Sequence, residues 1–129
     1  MPRRKEEIRM KIAVTSRGPS RTDQVDERFG RAAFFVVHDT EAGSYEAVDN
    51  GAAGGASQGA GIQAAQRIAD TGAAVLITGH CGPKAFDALT AAGIAVMTGA
   101  GGTIEEAIRQ YQENKLQKAG GPDVTGHWS

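Results

Sequence analysis

One segment limits the fold more than any other. Ala73-Ala74-Val75-Leu76-Ile77 is apolar without interruption and runs into Thr78-Gly79-His80-Cys81-Gly82-Pro83-Lys84-Ala85-Phe86. A strand with no polar face must be covered on both sides, as strands are in a parallel sheet with helices above and below. Gly82-Pro83 then reads as an N-cap followed by the first helical position, where proline loses no hydrogen bond and its fixed φ suits the helix. The turn holds the only cysteine and one of three histidines. It places Cys81 and His80 at the mouth of a sheet beside the open amides of a helix start. A soft sulfur, an imidazole and anion-friendly amides together suggest a ligand site. The competing reading is structural, because a lone cysteine also behaves as a small buried hydrophobe.

The rest of the chain supplies partners for that strand. Met10 to Thr15 carries Ile12 and Val14 on one face with Ala13 between them, the pattern of a central strand. Residues 16–23 are polar turn formers leading into Val25-Asp26-Glu27-Arg28-Phe29-Gly30-Arg31, and Arg21, Arg28 and Arg31 gather there as forked donors for an anion if the loop covers the sheet end. Ala33–Val37 and Ser44–Val48 flank a tight-turn sequence and predict an antiparallel hairpin, with His38 at an exposed strand end. The glycine-rich stretch 49–61 reads as a loop that is either a flexible linkage or an anion cradle. It precedes a helix bearing Ile62, Ala65, Ile68 and Ala69 that stops at Thr71-Gly72.

Beyond the central turn, Ala85, Phe86 and Leu89 predict a helix ending at Gly93, and Ile94–Met97 a further strand. Thr103 with Glu106 forms a capping box for a helix carrying Ile104, Ala107, Ile108 and Tyr111. The order is that of an α/β domain: a mixed five-stranded sheet sandwiched by three main helices. Right-handed crossovers make the strands at Met10, Val75 and Ile94 parallel neighbours, with the hairpin beyond the first. The loops at 16–31, 50–61, 78–82 and 98–103 then meet at the carboxyl ends, where open α/β sheets bind ligands. Residues 1–9 read as a flexible extension, 10–116 as the domain, and 117–129 as a tail with Trp128.

At 129 residues the chain fits one domain. A net charge of -1 and a pI near 6.3 give no global attraction to nucleic acid or to a membrane surface. No apolar run approaches the roughly 20 residues of a membrane span. One cysteine excludes an intrachain disulfide and points to the cytoplasm. The central strands at Met10–Thr15, Ala73–Ile77 and Ile94–Met97 carry no acids to hold magnesium, which argues against a nuclease.

Three stretches together resemble the dinitrogenase iron-molybdenum cofactor biosynthesis family of NifX- and NafY-type carriers, NifB-type C-terminal domains, stand-alone members and molybdenum-copper orange proteins. They are Val25-Asp26-Glu27-Arg28-Phe29-Gly30-Arg31-Ala32, Gly59-Ala60-Gly61-Ile62-Gln63, and Thr78-Gly79-His80-Cys81-Gly82-Pro83-Lys84-Ala85-Phe86. The resemblance implies a ribonuclease H-like fold and a carrier of a metal-sulfur cluster, of iron-molybdenum or related type, rather than an enzyme. It implies cluster donor and acceptor proteins as partners. It assigns Arg28, Phe29, Gly30, Arg31, Gly59, Gly61, Gly79 and Gly82 to the cofactor face; Cys81 and His80 are the metal-ligand candidates on the chemistry of thiolate and imidazole. A homodimer would combine two Cys81 sites. Where many cofactor-carrying members have histidine before Phe-Gly, this chain has Arg28, which pairs with an anion and does not ligate a metal. That departure motivates an alternative, a regulatory or interaction module on the same fold that no longer binds a cluster.

Overall fold

A computed structural model describes residues 10–50 and 60–119. The extension 1–9, the stretch 51–59 with Gly59, and residues 120–129 with Trp128 lie outside the described residues. Strands β1 (Lys11–Ser16), β2 (Phe34–Asp39), β3 (Tyr45–Asp49), β4 (Val75–Ile77), β5 (Ala95–Thr98) and β6 (Gln117–Lys118) form one sheet in the order β3-β2-β1-β4-β5-β6. Strands β1, β4 and β5 are parallel, with Val14 opposite Ile77 and Ile77 opposite Met97. The hairpin β2–β3 lies antiparallel on the other side of β1. This is the mixed α/β sheet the pattern predicts, with one correction. The sequence predicts five strands; the sheet has six, because Gln117–Lys118, read as the start of the tail, pairs antiparallel with β5. Neither residue is apolar, so no periodicity marks the strand. The unpaired backbone at the edge of β5 recruits it, and Ala119 N–H continues the pairing to the Val96 carbonyl at 2.8 Å.

Helices α1 (Ala60–Thr71) and α2 (Pro83–Ala91) cover one face and α3 (Ile104–Gln112) the other. Alternation along β1 divides the core between them. Ala13 joins Phe35, Ile68, Leu76, Leu89 and Val96 under α1 and α2, whereas Ile12 and Val14 join Val36, Ile77, Ile104 and Ile108 under α3. Each fully buried Val, Leu, Ile or Phe among them contributes about 1.5–3 kcal/mol. Small residues let α1 and α2 share one face: a Cβ on Gly61 would lie 3.0 Å from the Ala85 Cβ. Gly72 (φ +82°) and Gly93 (φ +81°) end α1 and α2 in the left-handed conformation glycine adopts without strain.

His38 departs from expectation. It is buried rather than exposed at a strand end, its ring stacked on Tyr45 at 4.4 Å and its Nδ1 3.0 Å from the Ser44 carbonyl. Tyr45 is its direct cross-strand partner in the β2–β3 pair, so the two rings share one face of the sheet and Tyr45 covers the imidazole.

Candidate functional site

The loop between β1 and β2 crosses the carboxyl ends of the three parallel strands. Bridges link Ser16 to Val25, Gln24 to Thr103, and Arg28 to His80. The last of these builds the site. His80 N–H donates to the Glu27 carbonyl at 2.7 Å, and Phe29 N–H donates to the His80 carbonyl at 3.3 Å. Gly79 makes this contact sterically feasible, because a Cβ there would lie 2.8 Å from both Cα and O of Glu27. Phe29 is buried and stacked on Phe35 at 5.7 Å, and it pins the turn that presents Gly30 and Arg31. Asn50, just past β3, supports the same turn, its Nδ2 donating to the Ala32 carbonyl at 2.8 Å.

Between this turn and the start of α2 lies a cavity of about 540 Å³ lined by Arg28, Phe29, Gly30, Arg31, Gly61, His80, Gly82, Pro83, Lys84 and Ala85. The volume falls in the range of ordinary ligand pockets. Phe29, Pro83 and Ala85 give it apolar walls; Arg28, Arg31 and Lys84 supply three cations, and no carboxylate among the described residues lines it. Gly82 caps α2 with no side-chain hydrogen bond, and Pro83 stands at N1. No acceptor among the described residues takes the amides of Lys84 and Ala85, so the orphan donors and positive dipole end of α2 point at the cavity. Gly82 has ordinary backbone angles, φ −71° and ψ 170°, and a Cβ on it would meet nothing among the described residues within 4 Å. Those angles do not require glycine, and the lack of a side chain leaves the backbone open to the cavity.

The structure thus brings together seven of the residues picked out from sequence: Arg28, Phe29, Gly30, Arg31, Gly61, His80 and Gly82. Gly79 lies behind the wall, under Glu27. Cys81 is also behind it, 2% exposed and packed in the core beneath α1 and α2. Among the described residues no three of His, Cys, Asp and Glu converge as a metal-ion site. Arg21 goes elsewhere, to Glu105 at 3.6 Å and over the Tyr45 ring at 5.5 Å. Sequence reasoning missed Lys84, although it carried a signal: a cation in the first turn of a helix opposes the macrodipole, and a broken local rule marks a place where something else is being served.

A sequence model described as "Dinitrogenase iron-molybdenum cofactor" matches residues 9–114. The apo form of the orange protein from Desulfovibrio gigas superposes with a TM-score of 0.86 at 48% identity, covering 89% of this chain and 97% of that one. A Thermotoga protein described as a candidate NifB protein superposes with a TM-score of 0.75 at 36% identity, covering 84% and 92%. An uncharacterized protein of Methanocaldococcus jannaschii is 32% identical over 112 residues, 84% of this chain and 91% of its own length.

Proposed function

We propose, from the premise that this chain belongs to the dinitrogenase iron-molybdenum cofactor family, that it binds and carries an anionic metal-sulfur cluster and is not a catalyst. The observation that carries this reading is the cavity at the start of α2, where, among the described residues, three cations and two amides without an acceptor face apolar walls and no carboxylate takes part. A sulfide-rich cluster is large, polarisable and negatively charged. Such cargo matches amides and guanidinium groups that compensate charge from outside the metal's coordination shell, and apolar walls that exclude water. The cargo is held so that it leaves again, which suits transfer between a donor and an acceptor protein.

In this scheme Arg28 and Arg31 grip the cluster from the loop, the amides of Lys84 and Ala85 from the helix, and Gly82 keeps the approach open. His80, exposed at the rim, contributes the imidazole on this wall of the cavity. Cys81 acts as a ligand only if the turn rotates its sulfur out of the core. Reconstituting wild-type protein and Cys81→Ala with iron, molybdate or copper and sulfide decides this, since equal colour in both removes the thiolate from the site. The cavity reading has its own test. Tetrathiomolybdate titrated anaerobically into the full chain is expected to bind saturably, more weakly as salt rises, and about tenfold or more weakly to an Arg28→Gln, Arg31→Gln, Lys84→Gln triple variant. Equal binding by the triple variant, or none by wild type, overturns it.

The burial of the only thiol in the chain favours a second reading, a regulatory or interaction module that has kept the fold without the cargo. Metal-free protein from an anaerobic preparation that also resists reconstitution would select it. Among the described residues no helix is long and apolar enough to cross a membrane.

A further inference from the structure

We infer that Asp26, which does not line the cavity, is the positioning residue that turns Arg28 into an anion-binding fork; the inference rests on the cavity reading above. Asp26 is anchored to β1 through its backbone. Its N–H donates to the Thr15 carbonyl at 2.9 Å, and its own carbonyl accepts from Thr15 Oγ1 at 2.6 Å, with Thr78 Oγ1 3.1 Å from that hydroxyl. All three residues are buried. With the backbone fixed, the carboxylate returns to Arg28: Oδ1 accepts from the Arg28 N–H at 3.0 Å and from its Nε at 3.4 Å.

The pairing is lopsided in a way that matters. The Asp26 side chain is 6% exposed and that of Arg28 65% exposed, so a nearly dry carboxylate holds a guanidinium that stands in solvent at the cavity mouth. Burying a charge is costly. A turn alone does not call for it, because a neutral asparagine oxygen accepts the Arg28 N–H equally well. The charge is needed to hold the guanidinium. It does so through Nε, which leaves both Nη groups without an acceptor among the described residues and ready to bind an anion as a pair.

This makes a prediction with a sign opposite to simple electrostatics. If Asp26 merely adds negative charge near the site, Asp26→Asn strengthens anion binding. If it positions Arg28, the same change weakens tetrathiomolybdate binding, by about three- to tenfold given the exposure of the pair, and does nothing in an Arg28→Gln background. Arg28→Lys, which has no Nε fork to orient, should likewise be indifferent to Asp26→Asn. Nitrogen-15 relaxation of the Arg28 Nε–H, measured on ligand-free protein, reads the positioning directly. It should be ordered in wild type and mobile in Asp26→Asn, while the unfolding midpoint and the Phe29 and His80 amide signals report that the fold is intact. Tighter binding by Asp26→Asn, or an Arg28 Nε equally mobile in both proteins, overturns the inference. Wild-type protein that does not bind the probe overturns the cavity reading instead, and the relaxation data then decide the positioning alone.

Discussion

Helices α2 and α3 each begin just after a parallel strand, β4 and β5 respectively, at the same end of the sheet, and they are finished in opposite ways. At α3 every early amide is taken. Ile104 N–H goes to the Asp23 carbonyl at 2.9 Å and Glu105 N–H to that of Arg21 at 3.0 Å, while Thr103 and Glu106 close a reciprocal capping box. Glu105 and Glu106 also lie in the first turn, where acids complement the dipole. At α2 there is no side-chain cap, no acid in the first turn, and a lysine where an acid belongs. One helix start is sealed by the chain itself; the other opens onto the cavity. The topology is common to both, so topology alone does not distinguish them. The residues that finish each helix do.

The sharpest way to break the contrast is to give α2 the finish of α3. Gly82→Asp places a capping carboxylate at a position with open space for it. Capping and dipole complementarity should raise stability by about 0.5–1 kcal/mol. The same carboxylate occupies the amides and repels an anion, which costs several kcal/mol of binding, or about a hundredfold or more. Thermal unfolding and tetrathiomolybdate titration check the two halves together. A variant that gains no stability and binds as wild type would show that the open cap has no bearing on the cavity. The converse change is smaller. Thr103→Ala removes the α3 cap and should cost about 1 kcal/mol of unfolding free energy, read by urea denaturation, with tetrathiomolybdate affinity unchanged.

Much of this contrast was legible in the chain. The capping box at Thr103 and Glu106, the Gly82-Pro83 helix start and the parallel order of the three central strands all rest on local patterns, and the structure has each of them. What escaped depends on contacts distant in sequence. Asp26 looks like any loop acid until Thr15 and Thr78 bury it. Cys81 and His80 are neighbours with one shared context in sequence, yet successive residues of the turn face opposite ways, so one enters the core and the other the rim. Gly79 and Gly82 look alike as letters and differ in surroundings: the first is forced by the Glu27 backbone, and the second meets nothing among the described residues. The sixth strand exists only because β5 has an edge to offer.

The smallest effect tests the comparison most directly, because it concerns a residue that is unfavourable for its own helix. Lys84 stands in the first turn of α2, where its charge opposes the dipole, and it lines the cavity. If it served stability, neutralising it would do harm. Lys84→Gln should instead raise unfolding free energy by about 0.3 kcal/mol, the low end of a screened charge–dipole term at an exposed site. It should also weaken tetrathiomolybdate binding about threefold at low salt, a loss that fades as salt screens the charge. A gain in stability accompanied by a salt-dependent loss of binding identifies Lys84 as a residue kept for a ligand at the expense of its helix. Loss of both together would mean that α2 needs this lysine for itself, and the open helix start would then be an ordinary feature of the fold.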